Sequence, residues 1–139
     1  MGTVIINPYI NFGGKAHEAF EFYQKALGGE LNLVTLNPNG PPKPAGPDDS
    51  IMHGTLTLSD GVVIMGTDGM AEYPAKVGEN FAIALSGTDR DKLTKAFEML
   101  GEGGNVKQTL KDESWGDTFG WLEDKFNINW MVNITKDQA

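Results

Sequence analysis

The two histidines of the sequence, His17 and His53, are the side chains best suited to acid–base chemistry near neutral pH. His53 shares one face of a predicted strand with Thr55, so its imidazole could act as a general base or bind an anion in a cleft. The same position also suits a hydrogen-bonded structural histidine. His17 lies on a predicted helix between Ala16 and Glu18 and is expected to face solvent. His53 is therefore the candidate catalytic residue.

Several neutral polar and aromatic side chains could bind a ligand near His53. Tyr9, Asn11 and Asn133 fall on strand faces that are expected to point inward, where a polar group needs water, a ligand or another polar group. Trp115 follows a charged loop and could close over a ligand. Four acidic side chains are close only in sequence and do not define an acid–base pair: Glu113, Asp117, Glu123 and Asp124.

The composition excludes several classes of protein. The sequence has no cysteine, so disulfides, thiolate nucleophiles and cysteine metal sites are excluded. The formal net charge is −8, and a negative field of this kind repels the phosphates of nucleic acid. The first residues resemble neither a signal peptide nor a membrane-spanning segment. We therefore expect a cytoplasmic protein with no nucleic-acid or membrane partner.

The first half of the chain predicts a strand, a helix and three further strands. Residues 4–12 alternate between apolar and polar side chains, which predicts a strand. Pro8 cannot donate a hydrogen bond, so this strand is expected near an edge or end of a sheet. Apolar residues at three- and four-residue spacing predict a helix over 15–27. The remaining segments are a strand over 30–36, a proline-rich loop over 37–50, and a hairpin over 51–58 and 62–67 with a type I′ turn at Asp60-Gly61.

The same order of elements occurs a second time. The segments are a strand over 81–86, a helix over 89–100, a strand over 106–110, and a hairpin over 118–123 and 128–135 with Asp124 as a turn former. The helices share the strings Ala19-Phe20-Glu21-Phe22 and Ala96-Phe97-Glu98-Met99, which indicates an internal repeat. The sequence predicts an α+β fold in which two βαβββ modules, about 3–70 and 79–136, form one domain with an open barrel-like cleft.

Three sets of residues resemble a known family over nearly the whole chain. The first set is Phe12-Gly13-Gly14-Lys15-Ala16-His17-Glu18-Ala19, Phe22-Tyr23 and Leu27-Gly28-Gly29-Glu30. The second is His53-Gly54-Thr55-Leu56, Ser59-Asp60-Gly61 and Asp68. The third is Trp115-Gly116-Asp117-Thr118-Phe119-Gly120, Asp124-Lys125-Phe126 and Trp130-Met131-Val132-Asn133. Together they resemble the PhnB-like proteins of the vicinal-oxygen-chelate superfamily, which includes glyoxalases, bleomycin-resistance proteins and extradiol dioxygenases. The sequence departs from the family pattern at Ser114, Thr118 and Asn127.

The resemblance implies this two-module, glyoxalase-like fold but no metal site. Metal-dependent members take His, Gln or Glu ligands from four strands. The corresponding positions here are Asn7 or Tyr9, Met65, Ala82 and Met131, and a slip by two residues brings in Ala84 and Asn133. Methionine and alanine cannot bind a hard divalent ion. Some members carry the label of ubiquinone-type methyltransferases, but no glycine-rich nucleotide motif follows a predicted strand here. We therefore expect neither a metal nor a cofactor.

These observations predict a metal-independent protein that binds a small molecule of unknown identity. The predicted ligand-binding residues are Tyr9, Asn11, His53, Thr55, Met65, Ala82, Trp115 and Asn133. A homodimer is expected, because strand edges stay open and the superfamily resemblance points to paired chains. Two alternatives stay open: a lyase- or isomerase-like enzyme that uses His53 on a small metabolite, and a metal enzyme with displaced ligands.

Overall fold

The computed structural model describes residues 2–69, 72 and 74–136 of the 139-residue chain. The chain divides into two compact units, Met1–Lys76 and Val77–Ala139, which we call module one and module two. Each module contains one mixed β-sheet and one α-helix, and neither sheet closes on itself. The predicted α+β fold with two repeated modules is confirmed.

Module one has a sheet of five strands. Its elements are β1 (Tyr9–Asn11), α1 (Ala16–Leu27), β2 (Glu30–Thr35), β3 (Lys43–Pro44), β4 (His53–Thr57), a 3-10 turn (Ser59–Gly61) and β5 (Val63–Thr67). The strands lie in the order β1-β5-β4-β2-β3, with β1 parallel to β5 and the other neighbours antiparallel. As the position of Pro8 predicts, β1 lies at an edge of the sheet.

One face of this sheet packs against α1. The helix buries Phe20 and Tyr23 completely, and the strands bury Leu56 and Ile64. Gly54 allows the close approach, because a Cβ at that position would lie 2.8 Å from Cε2 of Phe20. The opposite face of the sheet is therefore the one that is left for a ligand.

Module two repeats the arrangement. Its elements are β6 (Ile83–Gly87), α2 (Arg90–Gly101), β7 (Asn105–Asp112), β8 (Thr118–Glu123) and β9 (Asn129–Ile134). The order β6-β9-β8-β7 matches the first four strands of module one, β1-β5-β4-β2, and β6 is parallel to β9. Phe97 of α2 packs over Gly120, where a Cβ would lie 2.9 Å from its ring. The shared helix string thus marks equivalent aromatic contacts in the two modules.

The strand predicted over 4–12 is wrong in its extent. Only Tyr9–Asn11 pairs, and Val4 and Ile6 are each 93% exposed. The pairing begins where the backbone N–H of Met65 donates to the carbonyl of Pro8 at 2.9 Å. Because β5 starts at Val63 and Tyr9 pairs with Met65, residues 4–6 lie beyond the start of β5. Alternation of apolar residues cannot show where a neighbouring strand ends.

The hairpin turn also differs from its prediction. A type I′ turn needs positive φ at both central residues, but only Gly61 has it, with φ 79°. The backbone N–H of Leu58 donates to the carbonyl of Val62 at 2.7 Å, so the connection has three residues. A three-residue connection uses a right-handed turn followed by one left-handed residue, which is the arrangement seen over Ser59–Gly61.

The proline-rich loop over 37–50 holds one short strand. Lys43 and Pro44 pair with the end of β2, and the backbone N–H of Ala45 donates to Leu33 at 2.9 Å. Proline is tolerated here because β3 is an edge strand whose outer side needs no donor.

The carboxylate of Asp68, directly after β5, joins three segments of module one. Oδ1 accepts hydrogen bonds from the backbone N–H groups of Gly14 at 3.0 Å and Ala16 at 2.7 Å, at the start of α1. Oδ2 accepts from the backbone N–H of Ile51 at 2.7 Å, at the end of the long loop. Lys15, the residue preceding the helix, makes no side-chain capping bond. Asp68 therefore supplies the cap, and its negative charge is favourable at a helix N-terminus.

Replacing Asp68 with alanine is expected to destabilise the protein strongly. Asp68→Ala leaves three backbone donors without their acceptor, and charge-assisted bonds of this kind make the expected loss about 2–4 kcal/mol in the free energy of unfolding. Urea denaturation followed by circular dichroism measures this loss. Asp48→Ala, which removes an exposed carboxylate of the same module, is the control. Equal stabilities of the two variants would contradict the assignment.

Candidate functional site

Five of the predicted ligand-binding residues share the face of the module-one sheet that is opposite α1. Tyr9 of β1 is the register partner of Met65 of β5, which also pairs with Thr55 of β4. His53 lies two residues before Thr55 on the same strand, and Asn11 lies two residues after Tyr9, so both project to this face. Module one therefore brings these predicted residues together.

Tyr9 and His53 make a direct ring contact. Their ring centroids lie 5.8 Å apart with an angle of 31° between the ring planes. Tyr9 is 55% exposed, whereas His53 is half-buried. The contact limits the orientations of the tyrosine ring while leaving much of its surface accessible.

A pocket of about 590 Å³ opens beside these residues, entirely within module one. Of the predicted residues, Tyr9 and Asn11 line it, whereas His53, Thr55 and Met65 lie outside its lining. Its lining residues are Tyr9, Asn11, Thr35, Leu36, Ser50, Ile51, Met52, Thr67 and Gly69.

The lining residues that sequence reasoning missed come from three places: the end of β2 (Thr35 and Leu36), the end of β5 with Gly69, and the junction of the long loop with β4. Thr67 continues the inward parity of Met65 and could have been found from that alternation. Ser50, Ile51 and Met52 lie where the proline-rich loop meets β4. The loop has no periodic sequence pattern, so the sequence does not predict that its end lies against the pocket. Their position depends on the bond from Ile51 to Asp68, which is a long-range contact.

Hydrogen bonds within the pocket wall hold it in shape. The hydroxyl of Thr67 donates to the carbonyl of Met52 at 2.8 Å and accepts from the backbone N–H of Gly69 at 3.0 Å. The amide oxygen of Asn11 accepts from the backbone N–H of Gly13 at 2.9 Å. The wall therefore uses several of its own polar groups internally.

A second cavity in module one, of about 390 Å³, is acidic. Four carboxylates line it with one lysine and one histidine: Glu18, Asp48, Asp49, Asp68, Lys15 and His17. His17 contacts the carboxylate of Glu21 at 3.3 Å, and its side chain is only 22% exposed, so the expected solvent-facing position is wrong. Within residues 2–69, 72 and 74–136, no group of three or more His, Asp or Glu side chains is arranged to hold a metal ion.

The predicted residues of module two occupy separate places. Ala82 is half-buried just before β6, and Trp115 is 62% exposed in the turn between β7 and β8. The side-chain amide of Asn133 on β9 donates to Asp117 at 3.0 Å. Asn133 therefore has a protein partner in the structure. Met131 on the same strand face is 37% exposed.

Asp124 is a turn former, as the sequence predicts. Its carboxylate is buried and accepts from the backbone N–H groups of Phe126 at 2.8 Å and Ile128 at 3.1 Å. It also accepts from the indole N–H of Trp130 at 2.9 Å, which fixes that ring in the core. Asn127, which lies between Phe126 and Ile128 in this turn, has φ 67°. This carboxylate is fully occupied with structural bonds and is not part of the candidate site.

A family model described as 3-demethylubiquinone-9 3-methyltransferase matches residues 5–133. The chain belongs to this PhnB-like family. The chain is similar to Protein YjdN from Escherichia coli. The two are 29% identical, and the match covers 96% of this chain and 97% of YjdN. The crystal structure of protein PA1353 from Pseudomonas aeruginosa is 33% identical, covers 97% of this chain and 100% of that one, and superimposes with a TM-score of 0.81.

Structures of lower identity support the fold of the family. A PhnB protein from Bacillus cereus is 23% identical, with a TM-score of 0.74 over 95% of this chain and all of that one. A glyoxalase-related enzyme from Fulvimarina pelagi is 15% identical, with a TM-score of 0.60 over 96% of this chain and 89% of that one. The fold of this PhnB-like chain is therefore that of the glyoxalase/bleomycin-resistance superfamily. Neither of its described helices is long and apolar enough to cross a membrane.

Removing the hydroxyl of Thr67 is expected to loosen the pocket wall. Thr67→Val keeps the shape of the side chain but leaves the carbonyl of Met52 and the N–H of Gly69 without this partner, at a cost of about 1–2 kcal/mol in the free energy of unfolding. Thr57→Val, at the exposed end of β4, is the matched control. Chemical denaturation of both variants gives the comparison, and an unchanged stability of Thr67→Val would show that the bridge is unimportant.

Proposed function

We propose that this protein binds a small molecule without a metal ion, and that the pocket of module one is its binding site. The observation that carries the proposal is a 590 Å³ pocket whose lining combines apolar and neutral polar side chains. Pockets of roughly 300–1,000 Å³ with such linings are typical of sites for drug-sized ligands.

The donor atoms of the site do not fit a transition metal. Tyr9 and Met65, two of the positions aligned with metal ligands in the superfamily, are register partners on the sheet face. A phenol and a thioether are poor ligands for zinc or nickel compared with imidazole and carboxylate groups. No carboxylate or imidazole belongs to the pocket lining within the described chain. Metal independence is therefore part of the proposal.

The methyl transfer named in the family description does not fit this pocket. The usual methyl donor, S-adenosylmethionine, carries a sulfonium, an ammonium and a carboxylate group. Charged groups of this kind need charged or strongly polar partners when they leave water. The described pocket lining has no charged side chain to provide them. We therefore do not propose methyltransferase activity for this chain.

An enzyme that uses His53 is the second candidate, because the His53 ring lies next to Tyr9, which lines the pocket. An imidazole at this position could exchange a proton with a bound metabolite. The test uses any molecule that co-purifies with the protein and is identified by mass spectrometry. Turnover that disappears in His53→Gln while binding persists supports the enzyme, and saturable binding without turnover supports the binding protein.

The expected homodimer and cytoplasmic location rest on the sequence and family resemblance, and both stay proposals. Among the strands that the structure describes, β1 and β6 each pair with one neighbour, which leaves an edge that another chain could cover. Sedimentation equilibrium tests the dimer. A mass near the 15.1 kDa of the monomer at micromolar concentration would contradict it.

A charge at the pocket rim is expected to weaken ligand binding. Leu36 lines the pocket and is 70% exposed, so Leu36→Asp should fold normally but place a carboxylate against the ligand. The expected loss of affinity for the fluorescent probe N-phenyl-1-naphthylamine is about tenfold, equivalent to about 1.4 kcal/mol. The matched control is Val62→Asp, which changes an exposed apolar residue outside the pocket. Equal binding by both variants would contradict the proposed site.

Divalent metals are expected to leave the protein unaffected. A ligand raises the melting temperature only in proportion to how well it binds the folded state. Added nickel, cobalt or zinc should therefore shift the melting temperature by less than about 1 °C relative to a chelator-treated sample. Elemental analysis of protein purified without chelator provides the second measurement. A stoichiometric metal would overturn the metal-independent proposal.

A further inference from the structure

Two cavities in the described part of module one differ in electrostatic character. The larger pocket has no charged side chain among its described lining residues, whereas three aspartates, Asp48, Asp49 and Asp68, line the smaller cavity. Ser50 lines both cavities. A charged ligand group would therefore find charged side chains in the smaller cavity but none in the described lining of the larger one. Charge is thus the property that distinguishes possible ligands of the larger pocket.

The backbone polar groups of Ile51 and Met52, in the wall of the larger pocket, already have partners. Ile51 donates its N–H to the Asp68 carboxylate at 2.7 Å, and its carbonyl accepts from the Asp68 backbone N–H at 2.8 Å. The N–H of Met52 donates to Val34 at 2.9 Å, and the carbonyl of Met52 accepts from the Thr67 hydroxyl at 2.8 Å. This stretch of wall therefore presents mainly side-chain surface to a ligand.

The side chains at the pocket mouth are apolar and accessible. Leu36 is 70% exposed, and the ring of Tyr9, which contacts His53, is 55% exposed. Removing apolar surface from water contributes roughly 25 cal/mol for each Å² buried. A ligand that covers these side chains gains this contribution without needing a charged partner.

From this combination we infer that the larger pocket takes an uncharged, predominantly apolar molecule. The inference rests on the proposed binding function and adds the chemical class of the ligand. A carboxylate, phosphate or ammonium group that entered the pocket would lose its water without gaining an oppositely charged side chain. Neutral apolar molecules pay no such desolvation cost.

Three probes of similar shape separate charge from size. They are 1-naphthol, which is neutral at pH 7, 1-naphthoate, which is anionic, and 1-naphthylmethylammonium, which is cationic. Each competes with N-phenyl-1-naphthylamine for the wild-type protein in about 0.3 M salt, where the Debye length of about 6 Å suppresses the effect of the overall negative charge. The expected result is that 1-naphthol displaces the dye at least about tenfold more effectively than either charged probe.

A substitution at the rim shows whether the probes occupy this pocket. Leu36→Lys should raise the affinity for 1-naphthoate relative to 1-naphthol by about tenfold, because it adds the cation that the lining lacks. Val62→Lys adds the same charge outside the pocket and should leave the ratio unchanged.

The outcomes distinguish the inference from the function on which it rests. If a charged probe displaces the dye as well as 1-naphthol does and remains sensitive to Leu36→Lys, the ligand class is wrong but the pocket is a binding site. Preference for 1-naphthylmethylammonium would indicate binding in the smaller, acidic cavity, which Ser50 also lines. That result would also overturn the inference that the ligand is uncharged. If the dye does not bind saturably, or if Leu36→Asp has no effect on it, the proposed binding function itself fails.

Discussion

The bonds from Asp68 to three backbone N–H groups are the interaction on which the rest of module one depends. Through them one carboxylate joins the start of α1 to the end of the proline-rich loop and to the end of β5. Thr67 and Gly69, on either side of Asp68 in the chain, both line the larger pocket, as does its partner Ile51. The residue that caps the helix therefore also fixes the pocket wall, so the stability of the module and the shape of its site are coupled.

Module two shows how the same fold forms without such a link. Its helix α2 is capped locally, because the carboxylate of Asp89 accepts from the backbone N–H of Lys92 at 3.2 Å. In module two the carboxylate that accepts several hydrogen bonds is Asp124, which lies at the turn between β8 and β9. It accepts from two backbone N–H groups and from the indole N–H of Trp130. The two modules share a strand order and an aromatic-on-glycine contact but differ in what holds their loops. This difference gives module one a loop that is anchored at its end and bounds a pocket.

The sequence predicted the elements well because their signals are local. The spacing of apolar residues placed both helices within one residue of their observed starts, and the repeated Ala-Phe-Glu string marked Phe20 and Phe97 as equivalent. Alternation put Tyr9, His53 and Met65 on one sheet face. It could not give the length of β1 or the pocket wall at Ile51, because both depend on contacts between residues far apart in the chain. The motif match included Asp68, but a sequence motif does not reveal that its carboxylate binds an amide 52 residues earlier.

Hydrogen exchange in the variant Asp68→Asn tests this coupling most directly. The substitution keeps the size of the side chain but removes its charge and one acceptor oxygen. The backbone amides of Ala16, Ile51 and Met52 are expected to lose protection together, although Met52 donates to Val34 and not to Asp68. The amide of Val132 in module two should keep its protection. Loss of protection at Ala16 and Ile51 alone, with Met52 unchanged, would contradict the claim that Asp68 holds the helix start and the pocket wall as one unit.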